Sequence, residues 1–382
     1  MGLNNALVLG GGIGGLAAAV ALARRGVAVT ILEQADAIRE VGAGLQVSPN
    51  GLAVLRALGL DKRLLDKGAV QGQAVVMQAH DRAGDVARLE LRQLPAPQQY
   101  YFMHRADLVE VLLRAAREQN VSFEFGAQAV KVLPGDVPMV ELADGTLRRA
   151  ELVVGADGIH SRARVALNGP DAGFFTGQVA WRAVVPNRFD HANVAMVTMG
   201  PGRHLVSYPL REGRLINLVA VEERKTWAEE GWNHPDDPAN LRAAFDNFGG
   251  MARDMIDAVE QPTLWGLHRH PVAEVWHGGG VALLGDAAHP TLPFLAQGAN
   301  MALEDAWVLA QNATALDRYA ALRKPRVKRV IKAAEGNAWR YHLRLGPVRF
   351  AAHTALRLGS RIAPRRMLGA FDWLYGHDVT AR

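Results

Sequence analysis

The sequence predicts an α/β fold in which a βαβ-type domain is interrupted by an inserted β-sheet domain and followed by a C-terminal helical region. Three observations support this prediction. Residues 6–33 read as strand, glycine-rich turn, helix and second strand. Residues 177–221 instead show several strands of period two, and residues 280–290 return to a buried strand that ends in Gly-Asp. We therefore expect a domain that is discontinuous in the sequence.

The turn after the first strand has the glycine spacing of a Rossmann-like dinucleotide-binding fingerprint. Gly10 permits the turn, Gly12 lets the backbone approach a pyrophosphate, and Gly15 lets the helix pack on the strand. Free N–H groups and the positive dipole end at the helix start attract a diphosphate. Glu33 ends the second strand, where its carboxylate can bind ribose hydroxyls and would repel a 2′-phosphate. The sequence therefore predicts a site for FAD or NAD rather than NADP.

The composition of the 382 residues excludes several classes of function. The chain has no cysteine, so disulfides, thiolate metal sites and the redox-active cysteine pair of flavin disulfide reductases are absent. No apolar run approaches the ~18 residues that span a bilayer, and residues 1–5 lack the features of a signal peptide. Residues 316–382 are basic, but nucleic-acid motifs are missing. We expect a cytoplasmic monomer or homodimer with no metal and no nucleic-acid or membrane partner.

Hydrophobic periodicity predicts the remaining elements in chain order. A glycine-containing loop precedes a helix at 51–58, and a strand at 75–80 precedes a helix from His104 to about Glu118. Further strands are predicted at 121–125, 130–132, 139–142, 152–155, 179–185, 194–199, 204–208 and 215–221. The last elements are helices at 241–248 and 251–259, a strand at 280–284, and helices at 299–312 and 316–334.

The changes of pattern divide the chain into three parts. The nucleotide-binding domain is discontinuous and comprises residues 1–72, 100–176 and 265–330. The inserted sheet domain comprises residues 73–99 and 177–264, and the C-terminal helical segment comprises residues 331–382. The pieces of the first domain must reassemble around the glycine-rich turn.

Two short motifs follow the fingerprint, Gly-Ala-Asp-Gly at 155–158 and Gly-Asp at 285–286. In this order and spacing the three motifs resemble the single-component FAD monooxygenases that hydroxylate aromatic compounds, such as p-hydroxybenzoate, salicylate, 3-hydroxybenzoate and 6-hydroxynicotinate hydroxylases. The resemblance covers nearly the whole chain and includes residues 42–44, 49–50, 104–108, 208–209, 284–290, 297–300, 304–306 and 373–378. It implies a Rossmann-like FAD-binding domain of the p-hydroxybenzoate hydroxylase type with an inserted substrate domain.

The resemblance also implies which residues hold FAD. The carboxylate that matches Asp286 binds a ribityl hydroxyl, and the residue that matches Arg105 contacts the cofactor. Arg105 also opposes the dipole preference of a helix start, which independently predicts an anionic partner. Asp157 is associated with FAD and with the nicotinamide nucleotide. The other predicted FAD contacts are Gly10, Gly12, Ile13, Gly14, Gly15, Glu33, Gln34, Gly44, Val47, Ala129, Pro290, Gly298, Ala299 and Asn300.

The same resemblance implies the reaction. NAD(P)H reduces FAD, O₂ then forms a flavin C4a-hydroperoxide, and an electron-rich ring attacks its distal oxygen. The protein must activate a ring hydroxyl, position the ring and exclude water. The substrate is expected to be a small phenolic or hydroxylated heteroaromatic molecule. No second fingerprint is present, so the choice between NADH and NADPH stays open.

One strand carries the predicted catalytic side chains. Period two places His204, Val206 and Tyr208 on one face. His204 and Tyr208 match residues that contact the substrate hydroxyl in hydroxylases of the 3-hydroxybenzoate and 6-hydroxynicotinate type. The predicted substrate pocket consists of Gln46, Val206, Leu292, Pro293 and Phe294, with Phe294 and Leu292 near Tyr208.

The predicted pocket differs from the pockets of the 6-hydroxynicotinate and 3-hydroxybenzoate hydroxylases. Gln46 and Phe294 stand where the 6-hydroxynicotinate enzymes carry histidines, and Pro293 stands where a glutamine is expected in a 3-hydroxybenzoate 6-hydroxylase. The exact substrate therefore stays open.

Other functions on the same fold also stay open. A flavin halogenase or isoprenoid reductase is one alternative, although residues 231–235 do not supply the Trp-x-Trp-x-Ile-Pro signature of halogenases. A membrane-associated quinone-precursor hydroxylase that uses the basic residues 357–366, or a flavin-binding protein without turnover, are the others.

Overall fold

A computed structural model describes residues 2–38, 43–224, 226 and 234–381, with backbone alone at 337–340. Gly42 of the Gly-Ala-Gly motif and residues 231–233 of the halogenase comparison lie outside this part. The described strands are β1 Asn5–Leu9, β2 Ala28–Glu33, β3 Gly44–Val47, β4 Val70–Gln71, β5 Ala74–Ala79, β6 Asp85–Glu90, β7 Tyr101–His104, β8 Ser122–Phe125, β9 Ala129–Leu133, β10 Met139–Leu142, β11 Leu147–Arg149, β12 Leu152–Gly155, β13 Phe174–Pro186, β14 Val194–Gly200, β15 Arg203–Leu210, β16 Leu215–Glu223, β17 His234–Pro235, β18 Thr263–Arg269, β19 His277–Gly278 and β20 Val281–Leu283.

The described helices are α1 Ile13–Ala23, α2 Pro49–Ala57, α3 Asp61–Asp66, α4 Arg105–Glu118, α5 Arg162–Asn168, α6 Pro238–Ala244, α7 Gly250–Asp257, α8 Gly298–Gln311, α9 Leu316–Tyr341, α10 Gly346–Ile362, α11 Pro364–Gly369 and α12 Asp372–Tyr375. Short 3₁₀ turns lie at Gly158–His160, Gly285–Ala287 and Pro293–Leu295. Among these helices, none is long and apolar enough for a membrane crossing.

A six-stranded sheet forms the centre of the nucleotide-binding domain. Its strand order is β19-β20-β12-β1-β2-β8, and every pair except β19 with β20 is parallel. The register pairs Leu9 with Gly155 and Gly155 with Leu283. Because these strands end at the same level, the three motifs that follow them meet at one edge of the sheet. Ligands bind at this carboxyl edge in open parallel sheets.

The second sheet has eight strands in the order β17-β18-β13-β16-β15-β14-β5-β6. It is antiparallel except between β14 and β5. One face packs against α6 and α7, where Leu205 and Trp181 join Phe245 in an apolar cluster. On the opposite face, Tyr208 of β15 packs against Phe102 of the small sheet β3-β7-β4. The small sheet therefore connects the two large ones.

The predicted domain division agrees with the sheets in outline but not at three boundaries. β5 and β6 join the second sheet, as expected for residues 73–99. The boundary at 176/177 falls inside β13, the one at 264/265 inside β18, and the one at 330/331 inside α9. The backbone hydrogen bonds of these elements continue across each boundary, so we move the boundaries to the ends of the elements. The division itself remains our proposal.

The C-terminal helices pack on the eight-stranded sheet. α10 and α11 contact β6, the last strand of this sheet. Leu356 of α10 joins Val86 and Val197 in an apolar cluster, so α10 adds to the core of the sheet domain. α9 is anchored by the buried side chains of Tyr319, Arg323, Val327 and Val330, so this helix belongs to the core of the first domain.

Candidate functional site

In the glycine-rich turn, only some of the glycines are required by the backbone conformation and packing of the protein itself. Gly10 has a φ of +95°, and a Cβ on Gly15 would lie 2.0 Å from the Gly10 carbonyl oxygen. Gly12 differs, because its backbone is extended at φ −75° and ψ −175° and a Cβ there would meet nothing within 4 Å. The fold therefore needs glycine at 10 and 15 but not at 12. The open space beside Gly12 fits a pyrophosphate lying against the turn.

Glu33 lies where a ribose-binding carboxylate is required. Its two oxygens accept hydrogen bonds from the backbone N–H groups of Gly11, at 2.7 Å, and Ala35, at 2.9 Å. These bonds hold the half-buried carboxylate beside the turn. The geometry fits the predicted role of Glu33.

Two helices that face this edge begin without a side-chain cap. α1 follows Gly12 and α8 follows Gln297, and neither residue caps its helix through a side chain. The first N–H groups of a helix need partners from outside the helix, and an anion or a polarised carbonyl can supply them. By contrast, α4 and α5 are capped by His104 and Ser161. The start of α8 at Gly298 agrees with the predicted helix beside the flavin pyrimidine.

Arg105 and Asp286 come from distant motifs and interact electrostatically. Burial raises the pKa of the Asp286 carboxyl, and the charges of His289 and Arg105 act in the opposite direction. Arg105 thus has an anionic neighbour, as its position in the first turn of α4 predicted. The structure brings Glu33, Asp286 and Arg105 to the carboxyl edge of the six-stranded sheet.

A buried ionic cluster supports the Gly-Asp turn, and sequence reasoning assigned it no role. Arg323 of α9 binds Glu304 at 2.5 Å and Asp305 at 2.7 Å, with both acids fully buried on α8. Asp305 also accepts hydrogen bonds from Gly285 N, at 3.0 Å, and from His289 Nε2, at 2.5 Å. The turn that carries Asp286 is therefore fixed by Asp305. His289 takes part as a hydrogen-bond partner of Asp305.

A second buried arginine, Arg164, was also missed. Its guanidinium donates to the carbonyls of Ala287 and Ala288, at 3.2 Å each, and pairs with Asp171. Arg164 belongs to α5, which follows the Gly-Ala-Asp-Gly motif. It therefore links the second motif to the third. An arginine within an apolar helical pattern was the available signal.

The cluster predicts a loss of stability in acid. Burial alone would raise both pKa values, but the charges of Arg323, Arg326 and His289 outweigh it and lower the pKa of Glu304 and of Asp305 to about 2. In the unfolded chain the pKa values of these two carboxyls are ordinarily 4.5 and 3.8. A carboxyl whose pKa is lower in the folded protein stabilises the fold above its unfolded pKa, and this stabilisation is lost as the pH falls toward 2. We expect a loss on the order of 2 kcal/mol for each carboxyl across this interval.

Urea unfolding of the protein at pH 7, 5, 4 and 3 measures this loss. Glu304→Gln is expected to show a lower free energy of unfolding at pH 7 and a shallower dependence on pH below 5. An equally steep acid dependence in this variant would contradict the assignment.

Two predicted cofactor residues use their polar atoms within the protein. Asp157 accepts from Ser161 Oγ at 2.5 Å and from the N–H of Arg162 at 2.7 Å, so it stabilises the start of α5. Asn300 accepts from Ser48 N at 3.0 Å and donates to the Gln46 carbonyl at 2.9 Å, which fixes β3 against α8. Their nucleotide contacts remain predictions.

The other predicted cofactor residues lie around the same edge. Ile13 and Gly14 begin α1, and a Cβ on Gly14 would lie 2.7 Å from Leu284. The remaining positions are Gln34 after β2, Gly44 and Val47 at the two ends of β3, Ala129 at the start of β9, Pro290 after the Gly-Asp turn, and Gly298 and Ala299 at the start of α8. Their contacts with FAD also remain predictions.

Gly44 marks the junction between cofactor and substrate sides. A Cβ there would lie 2.6 Å from the Tyr208 ring, and Gly44 N donates to Asn217 Oδ1 at 2.6 Å. The backbone at Gly44 therefore approaches Tyr208 and Asn217 too closely for any side chain. Asn217, on β16, was not predicted from the sequence.

The pocket residues Val206, Leu292 and Phe294 share an apolar cluster with Trp265 and Val219. Phe294 lies beside His204, with ring centroids 6.0 Å apart, and Phe102 lies beside Tyr208, at 5.2 Å. Val206 packs against the clusters of both Phe294 and Tyr208, and the position of Phe294 and Leu292 near Tyr208 remains a prediction.

Gln46 and Pro293 border this region. The Gln46 side chain accepts a hydrogen bond from the Tyr100 hydroxyl at 2.6 Å. Pro293 begins the 3₁₀ turn that ends before Ala296, a residue held at φ +52°. Left-handed backbone at a non-glycine residue is a strained feature that concentrates at functional sites.

Comparisons with known proteins agree with this geometry. A family model described as "FAD binding domain" matches residues 4–334. The chain is 36% identical to 3-amino-4-hydroxybenzoate 2-monooxygenase PtmB3 of Streptomyces platensis, over 97% of the chain and 96% of the relative. It is 34% identical to 3-hydroxybenzoate 6-hydroxylase of Polaromonas naphthalenivorans, over 98% and 96%. The structure of Klebsiella pneumoniae HpxO complexed with FAD and uric acid superposes with a TM-score of 0.85, at 25% identity over 97% of each chain.

Proposed function

Because the chain belongs to the FAD-dependent aromatic monooxygenases, we propose that it hydroxylates a hydroxybenzoate and that His204 and Tyr208 bind the substrate hydroxyl. The family membership confirms FAD as the cofactor and NAD(P)H and O₂ as co-substrates of an aromatic hydroxylation. The halogenase, reductase and quinone-precursor alternatives gain no support from these comparisons.

The observation that carries the proposal is the contact between Gly44 and Tyr208. Gly44 starts the strand that leads to α2 on the cofactor side, and Tyr208 lies on the face of β15 that also carries Val206 and His204. A ring held by Tyr208 is therefore next to the cofactor-binding segment. The apolar side chains of Phe294, Val206 and Leu292 can exclude water from the ring.

The protonation states suit a phenolic substrate. Burial, followed by the neighbouring charge of His342, lowers the pKa of His204 well below its ordinary value, so the imidazole is neutral at pH 7. Burial raises the pKa of Tyr208 well above its ordinary value, so the phenol stays protonated. His204 can accept the substrate proton, and the protonated Tyr208 hydroxyl can donate a hydrogen bond to the substrate. Among the described residues, the Tyr208 hydroxyl has no hydrogen-bond partner.

These residues prepare the ring for oxygen transfer. FAD, when bound, would supply the hydride-accepting and O₂-activating chemistry. Tyr208 donates to the substrate oxygen and orients the ring, while His204 accepts the hydroxyl proton and makes the ring more electron-rich. The apolar cluster around Val206 keeps water from the reacting carbon.

Two observations favour an acidic substrate. Both relatives named above carry hydroxybenzoate in their names. Arg182 lies on β13 near Tyr208, with its guanidinium 4.6 Å from the Trp265 ring centroid. Burial, with a smaller effect of Arg105, lowers the pKa of Arg182 to about 10, so it remains a cation at pH 7. A half-buried cation on this side of the sheet favours a carboxylate. The cytoplasmic location and the monomeric or homodimeric state remain predictions.

Tyr208→Phe tests the substrate-binding role. The phenylalanine keeps the packing against Phe102 and removes the hydrogen bond, so we expect hydroxylation to slow about tenfold or more. NAD(P)H consumption with 3-hydroxybenzoate or 3-amino-4-hydroxybenzoate is measured beside product by mass spectrometry, and the missing product is expected as hydrogen peroxide.

Tyr101→Phe is a suitable control, because the Tyr101 hydroxyl hydrogen-bonds to Gln99 and its ring packs in the apolar cluster of the first domain, not in the cluster of Tyr208. Unchanged turnover and coupling in Tyr208→Phe would remove Tyr208 from this role. If the wild-type protein hydroxylates neither compound, the proposed substrate class is wrong.

A further inference from the structure

A chain of hydrogen bonds connects His204 to the protein surface. His204 Nδ1 lies 2.6 Å from His342 Nε2, and His342 Nδ1 lies 3.0 Å from Glu223 Oε1. Both histidines are buried, at 2% and 3% exposure, whereas the Glu223 side chain is 33% exposed. The three residues come from β15, from the loop after α9 and from the end of β16. The chain therefore runs from the substrate face of the sheet to solvent.

The anionic end of this chain is fixed in place. Arg344 donates to Glu223 Oε2 at 2.9 and 2.6 Å, which leaves Oε1 for His342. Burial acts to raise the pKa of Glu223, but the hydrogen bonds and charges of Arg344 and His342 outweigh it, so its pKa is lowered. Glu223 is ionised at pH 7 and can only accept hydrogen bonds.

Because Glu223 can only accept hydrogen bonds, the positions of the ring protons on His342 and His204 follow. Since Glu223 accepts, His342 Nδ1 carries a proton. Burial lowers the pKa of His342 despite the opposite effect of Glu223, so the ring is neutral and its Nε2 is an acceptor. His204 Nδ1 must then donate to His342. The remaining nitrogen of His204, Nε2, is left with a free electron pair.

We propose that Glu223 and His342 are positioning residues that make His204 Nε2 the proton acceptor for the substrate hydroxyl and relay that proton to the surface. The inference rests on the role of His204 proposed above. In the transfer, the substrate O–H bond breaks and its electron pair stays on the oxygen, while a bond forms between the proton and His204 Nε2. The Nδ1 proton of His204 moves to His342 Nε2. His342 becomes an imidazolium paired with Glu223, and its Nδ1 proton leaves through Glu223 to water.

The surroundings of the histidine pair supply little competing charge. Besides His342, the rings beside His204 are those of Phe294 and Tyr341, at 6.0 and 5.2 Å between centroids. The charged groups that act on His342 are Glu223 and Arg344. A positive charge on the pair is therefore stabilised mainly by Glu223, and loss of this carboxylate should act on catalysis rather than on binding.

Glu223→Gln tests the proposal in the FAD-loaded protein, with Glu222→Gln as the matched control. Glu222 is the preceding residue of β16 and pairs with Arg203 and Arg224, outside the relay. With 3-hydroxybenzoate or 3-amino-4-hydroxybenzoate as probe, whichever the wild type hydroxylates, we expect Glu223→Gln to lower kcat about tenfold to hundredfold and to leave KM within about twofold. The deficit should shrink as the pH is raised, because an ionised phenol needs no base.

A second measurement needs no substrate. In protein labelled with ¹⁵N-histidine, NMR should show His342 and His204 each protonated at Nδ1 and bare at Nε2, with His204→Asn and His342→Gln used for assignment. A bare Nδ1 on His204 would overturn the relay, as would equal kcat and pH profiles for the two glutamine variants. If the wild type hydroxylates neither probe, the proposed substrate class fails while the NMR result still decides the relay. Full activity in His204→Asn would reject both the base role and the relay.

Discussion

Arg323→Met is expected to lower the free energy of unfolding by about 3–5 kcal/mol, because it leaves Glu304 and Asp305 buried without their shared cation. Arg323 is 1% exposed, and methionine has a similar length, so the loss of charge dominates over a loss of packing. Arg326 and His289 continue to bind the two acids and compensate only in part. Urea unfolding at pH 7 measures the change.

The same substitution is expected to weaken FAD binding. Asp305 accepts from Gly285 N, so a carboxylate that has lost Arg323 no longer fixes the turn that carries Asp286. Lys324→Met is the matched control on the next residue, where an exposed pair with Glu274 contributes no more than about 1 kcal/mol. Equal stabilities of the two variants would show that the buried cluster is not what holds α8 against α9.

Gly12→Val is expected to abolish FAD binding while leaving the apoprotein folded. The backbone at Gly12 is extended and its Cβ space is open, so valine fits the chain and changes apoprotein stability by less than about 0.5 kcal/mol. The added side chain fills the space assigned to the pyrophosphate. We expect the Kd for FAD to rise about 100-fold or more, equivalent to ~3 kcal/mol.

Gly15→Val separates folding from binding in this experiment. A Cβ at Gly15 would lie 2.0 Å from the Gly10 carbonyl oxygen, so this variant should lose both apoprotein stability and FAD. Urea unfolding of the apoproteins and quenching of FAD fluorescence give the two quantities. Wild-type FAD affinity in Gly12→Val would show that the pyrophosphate lies elsewhere.

The first domain could be predicted from the sequence because its signals are local. The spacing of Gly10, Gly12 and Gly15 is set by one turn, and strand alternation shows on its own that His204 and Tyr208 share a face. The sequence led us to expect that the Gly-Ala-Asp-Gly and Gly-Asp motifs reassemble around the glycine-rich turn, and the register of β1, β12 and β20 places the strands that precede these motifs side by side.

The residues that sequence reasoning missed contact residues that are far away in the sequence. Arg323 and Arg164 look like ordinary helical arginines, and only the packing of α9 and α5 reveals that they lie in the core. Asn217 accepts a hydrogen bond from Gly44, which lies 173 positions earlier in the chain. No local pattern records such contacts, because they depend on which faces the helices and strands present to each other.

Sequence by itself determined the nucleotide-binding turn, the class of cofactor and the strand that carries the proposed catalytic side chains. Tertiary structure alone decided which nitrogen of His204 can accept a proton, since that depends on His342 and Glu223, residues from two other elements. The physical reason is that backbone geometry follows from neighbouring residues, whereas a buried proton's position follows from the partners that folding brings within hydrogen-bond distance.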